Sequence, residues 1–232
     1  MVSKPEEVHM RVLLCLVLFL VGSPAFSADP LRVGVVVFEG FLSIEVVAPM
    51  EVFTKATSER SLRFEVFTVG ASVKPVRSHE GLLIQPRVSF ASCPPLDILV
   101  VPSTLDMDSA LADQALVAFI KERGARARYV ASHCAGAFLL GKAGLLDGRR
   151  ATTYIGGAEA LRKMFPKARV EGDKQVVVDG NLVTSIGGAV SYEGSLALLE
   201  RIAGPQTADR VADELYYFRW KEKKATAAAG AR

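Results

Sequence analysis

Ser132-His133-Cys134-Ala135-Gly136 stands where an apolar run at residues 129–132 gives way to a helix-like run at 135–143. A cysteine on a tight turn between a buried strand and a helix sits near the helix N-terminus, where backbone N–H groups and the dipole favour the thiolate. That chemistry is nucleophilic addition to an electrophilic carbon. The pentapeptide resembles the G-x-S-x-G nucleophile elbow, with Cys134 for the serine, Gly136 as the second small residue and Ser132 in place of the first glycine. A free cysteine buried in a core has the same local signature, so the neighbouring elements must decide.

Those elements alternate. Residues 32–38 and 97–101 are continuous apolar runs of the kind buried on both faces of a parallel sheet, while 44–56, 108–123, 157–165 and 192–203 have helical spacing. Residues 63–68, 129–132 and 181–184 supply further strands, and 175–178 with Asp179-Gly180 reads as a hairpin added at an edge. The pattern predicts an α/β fold with a single doubly wound, mostly parallel sheet sandwiched by helices. In such sheets reactive groups gather at the carboxyl ends of the strands, here after Phe38, Val101 and Ser132. After Gly204-Pro205, residues 206–219 read as an amphipathic last helix, and Leu215, Tyr216, Phe218 and Trp220 as its packing face, although a homodimer contact would look the same.

The run Ala137-Phe138-Leu139-Leu140-Gly141-Lys142-Ala143-Gly144-Leu145-Leu146-Asp147-Gly148-Arg149-Arg150-Ala151-Thr152-Thr153, which follows the turn, resembles the ThiJ/PfpI family. This is the class I glutamine-amidotransferase-like group that contains PfpI-type proteases, isonitrile hydratases and the Parkinson-associated protein deglycase. Phe38-Glu39-Gly40-Phe41-Leu42-Ser43-Ile44-Glu45-Val46-Val47-Ala48-Pro49-Met50-Glu51-Val52-Phe53 looks like the family's first strand-to-helix turn, and Val183-Thr184-Ser185-Ile186-Gly187-Gly188-Ala189-Val190-Ser191-Tyr192-Glu193 like its late glycine turn. The resemblance runs from about residue 31 to about residue 218 and implies a flavodoxin-like fold with a cysteine nucleophile elbow. It also implies that Glu45 is the acid that hydrogen-bonds Cys134. A protonated carboxyl there would donate to the thiolate and hold a proton for the substrate. Glu39 and Glu51 read as solvated.

Relatives tend to have Pro-Gly-Gly after the strand at 97–101, where N–H groups face the cysteine as half of an oxyanion hole; here the residues are Pro102-Ser103-Thr104. Ser103 and Thr104 are therefore candidates for the oxyanion site or pocket, with the N–H of Ala135 as the other half. Protease-like members carry a histidine where this chain has Ala135, and glyoxalase-like or deglycase-like members often carry one at the position of Tyr154, a further pocket candidate. His133 precedes the nucleophile, and successive strand side chains project to opposite faces, so it is not expected beside Cys134. His79 falls in a turn. A Cys–His protease dyad is disfavoured.

Cys93 lies near the amino end of one strand and Cys134 beyond the carboxyl end of its neighbour, more than about 10 Å away, so no disulfide is expected. No metal set has recognisable spacing, and no phosphate or dinucleotide fingerprint is present; neither metal nor cofactor is expected. Net charge is +3 and the basic residues are dispersed except at 219–224, a poor footprint for nucleic acid. Met10-Arg11, the apolar stretch 12–21 and Gly22-Ser23-Pro24-Ala25-Phe26-Ser27-Ala28 read as a secretory signal cleaved after Ser27, too short to span a bilayer comfortably. Residues 1–27 are thus assigned to a signal peptide, 28–224 to one α/β domain and 225–232 to a disordered tail. The expected product is an exported, periplasmic or secreted protein with no membrane attachment after processing.

Together these residues predict a cysteine-dependent enzyme acting on a small electrophile, isonitrile-hydratase-like in reaction, with Cys134 as nucleophile and Glu45 as acid/base. The alternatives are a ligand-binding or redox-sensing module without catalysis, and glyoxalase-type conversion, which Tyr154 at the histidine position disfavours.

Overall fold

The computed structural model describes residues 29–57, 62–217 and 222. The expected signal at 1–27, the tail at 225–232 and the aromatic residues Phe218 and Trp220 lie outside the described residues. Strands β1 (Leu31–Val36), β2 (Phe64–Gly70), β5 (Val88–Ser89), β6 (Ile98–Val101), β7 (Tyr129–His133), β10 (Val176–Asp179) and β11 (Leu182–Ser185) form one sheet in the order β10-β11-β7-β6-β1-β2-β5. All its pairings are parallel except β10 with β11, the edge hairpin expected at Asp179-Gly180, where Gly180 takes φ 61. Two small two-stranded pairs lie outside it, antiparallel β3 (Val76–Arg77) with β4 (Leu83–Ile84) and parallel β8 (Arg150–Ala151) with β9 (Arg169–Val170).

The period of two along the strands sorts the core. Val33, Val35, Ile98, Val100, Ala131 and Val183 point to one face and pack with α1 (Ser43–Ala56), α6 (Val190–Ala203) and α7 (Pro205–Glu214). Leu99, Val101, Val130 and Leu182 point to the other, against α2 (Met107–Ala112), α3 (Gln114–Arg126), α4 (Gly136–Lys142) and α5 (Ala158–Met164). Ile98 and Leu99 are fully buried on opposite faces, each worth about 1.5–3 kcal/mol of apolar transfer. This double coverage is why those runs are continuously apolar.

The sequence-based expectation fails in two places. The single helix expected over 108–123 is broken at Asp113, whose φ of −70° and ψ of 97° are not helical. Its carboxylate accepts from the N–H groups of Ala115 and Leu116, and this cap starts a new helix at Gln114. The last helix ends at Glu214 rather than 219, and Tyr216 has φ 55 and is 79% exposed, so it is not part of a packing face. Tyr217 does pack, stacking on Tyr192 with ring centroids 5.6 Å apart.

Candidate active site

β7 ends at His133, and Cys134 turns the chain into α4 with φ 52, in the left-handed region that costs a side-chain-bearing residue conformational energy. Three contacts hold that turn. The Cys134 N–H donates to the Ser185 carbonyl at 2.8 Å, and the Thr153 hydroxyl donates to the Cys134 carbonyl at 3.0 Å. Gly136 packs so closely on the preceding strand end that a Cβ there would lie 2.5 Å from the Val101 carbonyl oxygen. The elbow therefore needs glycine at its second small position for lack of space.

Glu45 arrives from the first turn of α1 and is fully buried. The N-terminus of that helix is capped from a distance: Glu80, in the β3–β4 turn, accepts from the N–H and hydroxyl of Ser43. Burial opposes the ionisation of Glu80, but the donors from Ser43 and Ser78 and its own backbone win and bring it down to about 2. Farther along α1, exposed Glu51 accepts from the Tyr192 hydroxyl and ties the helix to α6, so it is not simply solvated.

Glu45 Oε2 accepts two hydrogen bonds from Ser103, from the N–H and from the hydroxyl, each 2.7 Å. Oε1 has no protein hydrogen bond of normal geometry and lies, like the Cys134 Cβ, against Gly187. Gly187, at φ 82, lies against both: a Cβ on it would come within 2.3 Å of the Cys134 Cβ and 2.5 Å of Glu45 Oε1. Cys134, Glu45, Ser103 and Gly187 thus meet at one point above the ends of β7, β6 and β11.

The electrostatics differ from the elbow expectation. Burial pushes the Glu45 carboxyl above the usual carboxylate range, against the lowering effect of Ser103, the Gly188 backbone and the Cys134 thiol. The thiol is pushed up to about 11, first by burial and then by the Glu45 charge, while the Ser103 hydroxyl and the Ala135 N–H pull the other way. The N-terminus of α4, a helix of only seven residues, does not outweigh burial and the Glu45 charge at this thiol. Two adjacent acids in one low-dielectric pocket oppose each other's ionisation. With both Ser103 donors on Oε2, Oε1 is the oxygen left open on the side of Gly187.

The remaining candidates are placed as follows. The N–H of Ser103 is taken by Glu45 and is not the oxyanion donor expected of Pro102-Ser103-Thr104, although neither Ser103 nor Thr104 has a positive φ. Thr104 is buried beside Gly40, bridges to Phe41 and accepts from the Asp106 N–H, so it shapes the turn that presents α1. The Ala135 N–H faces the Cys134 sulfur and favours its charged form. Tyr154 is partly exposed, stacks on Phe138 at 6.1 Å and follows Thr153 at the rim. His133 points away from Cys134, its Nδ1 2.8 Å from the Ser185 hydroxyl, and burial alone brings it down to about 3. His79 is exposed in the β3–β4 turn. Cys93 and Cys134 are both free thiols, Cys93 buried and Cys134 half-buried. Among the described residues no three His, Cys, Asp or Glu side chains are grouped to hold a metal ion. The sequence reading missed Ser185, Thr153 and the contact role of Gly187; the only local signal was a Gly-Gly pair directly after a strand.

A model of the DJ-1/PfpI family matches residues 31–201. The chain belongs to that family. It is 32% identical over 187 residues to an isonitrile hydratase of Pseudomonas putida, covering 81% of this chain and 78% of that protein. A DJ-1/PfpI relative of known structure, the ThiJ/PfpI family protein from Pseudomonas syringae, is 27% identical and superposes with a TM-score of 0.74 over 86% of this chain and 84% of that one. The HTH-type transcriptional regulator GbdR of Pseudomonas aeruginosa is 23% identical over 88% of this chain, which spans 55% of that regulator.

Proposed function

We propose that this DJ-1/PfpI protein is a cysteine-dependent hydratase or hydrolase of a small electrophile, and an isonitrile hydratase in its reaction type. The carrying observation is the pairing of half-buried Cys134 with fully buried Glu45, the Ser103 donors being confined to one carboxyl oxygen. Glu45 Oε1 takes the thiol proton as sulfur bonds to the terminal isonitrile carbon, and the same proton passes to that carbon, giving a thioimidate. Water then adds to the thioimidate carbon; one of its protons goes to nitrogen, the C–S bond breaks, and the other proton returns through Glu45 to sulfur. The product is the N-substituted formamide. No step needs a histidine, which fits a site where His133 is turned away.

A panel of an isonitrile, a nitrile and methylglyoxal, assayed with the parent and Cys134→Ala proteins, tests this. Isonitrile consumption by the parent at a rate at least about 10²-fold above Cys134→Ala is the expected result. Equal rates across the panel would favour the second reading, a ligand-binding or redox-sensing module. That reading is supported by the regulator among the relatives and by a thiol held mainly neutral. Export is a separate part of the proposal, supported by the signal-like pattern at residues 10–28. Cells making the full chain should yield a mature form beginning near Ala28 in the envelope or medium; an unprocessed cytosolic chain would remove it.

A further inference from the structure

His133 has the burial of a core residue and the hydrogen bonding of a site residue. It stands directly across from Ser185 in the parallel pairing of β7 and β11, so the two side chains leave the sheet on the same face, and it is 1% exposed. A Cβ on Gly194 of α6 would lie 3.2 Å from the imidazole Cε1, which seats the ring against that helix. The hydrogens can be counted. The Ser185 hydroxyl oxygen accepts the Gly187 N–H at 3.3 Å and lies 2.8 Å from His133 Nδ1. A hydroxyl has one hydrogen to give, and the imidazole is the partner in place to take it. Nδ1 is then the acceptor and the ring proton sits on Nε2, an assignment made from the network. Nε2 has no protein partner, and neither does the buried hydroxyl of Ser191, one turn before Gly194 on the same helix face.

A core selected for packing alone would place an apolar side chain here, because an unpaired buried donor destabilises. What the histidine supplies instead is a fixed direction for the Ser185 hydroxyl. Ser185 touches the site twice: its carbonyl receives the Cys134 N–H, and its side-chain oxygen receives the Gly187 N–H. Gly187 in turn closes over Cys134 and Glu45 Oε1. We infer that His133 is a positioning residue: through Ser185 it locks the Gly187 turn over the Cys134–Glu45 pair without touching either. The inference rests on reading Cys134 as the reacting group.

The test compares His133→Leu, His133→Asn and Ser185→Ala with the parent, measuring iodoacetamide labelling of Cys134 by peptide mass across pH, with thermal unfolding alongside. Leucine fills the space but leaves the Ser185 hydroxyl without its acceptor, so the Gly187 turn loosens and water reaches the pair. The expected result is a Cys134 labelling midpoint about one pH unit below that of the parent, which is roughly a tenfold change in thiolate population. The Tm should stay equal or rise. His133→Asn, which keeps an acceptor on the same side of the residue, should return the midpoint to the parent value, a recovery that lost packing would not give. Should His133→Leu fail to fold, Ser185→Ala reads the same link from the other side. A parent-like midpoint in folded His133→Leu or in Ser185→Ala overturns the inference. A parent whose Cys134 does not label at any pH fails earlier, at the reactive thiol itself, and takes the inference with it.

Discussion

Glu45→Gln is expected to lower turnover of any electrophile the protein converts by about 10²–10⁴-fold, the usual consequence of losing a general acid–base. The amide still fits beside Ser103 but cannot take the thiol proton or return it. Labelling of Cys134 should move in the opposite sense. The Glu45 charge is one of the causes that raise the thiol, so removing it lowers the thiol from about 11 and increases the thiolate present at a given pH. A variant that reacts faster with iodoacetamide yet turns over more slowly would separate proton transfer from nucleophilicity. Turnover equal to that of the parent would show that another group moves the proton.

The second large effect is expected at Gly187. Alanine there meets two costs at once, the positive φ of 82° and a Cβ forced to 2.3 Å from the Cys134 Cβ and 2.5 Å from Glu45 Oε1. Neither neighbour can yield, since Cys134 is pinned by Ser185 and Thr153 and Glu45 by Ser103. Displacement of the reacting atoms by a fraction of an ångström to an ångström costs on the order of 10²-fold in rate, and the strain about 1–3 kcal/mol in stability. Gly144→Ala is the control: it has φ 77 and nothing within 4 Å of the added methyl, so it carries the backbone strain without the contact. Equal activity losses in the two variants would refute the close approach. A loss confined to Gly187→Ala, read by steady-state rate and by urea midpoint, is the expected outcome.

Local sequence carried much of the architecture. The apolar runs that became β1, β6 and β7 had to be buried on both faces, and a parallel sheet follows from that. The strand-to-helix turn at Cys134 was legible because small residues flank it, and Glu45 because the turn before α1 matches the family pattern. The break at Asp113 was hidden because an aspartate inside an apolar period reads equally as a solvated face or as a cap; only its bonds to Ala115 and Leu116 distinguish them.

The sequence by itself determined the alternation of strands and helices and, through the family pattern, which strand ends bring Cys134, Glu45 and Ser103 together. Tertiary structure alone decided what those groups do there. Ser103 gives its N–H to a glutamate 58 residues away instead of to an oxyanion, Gly187 closes against the cysteine, and His133 turns to Ser185. The physical reason is that a proton's position depends on burial and on which donor reaches which lone pair. Both are set by contacts between strands far apart in the chain, to which hydrophobic periodicity and turn chemistry are blind.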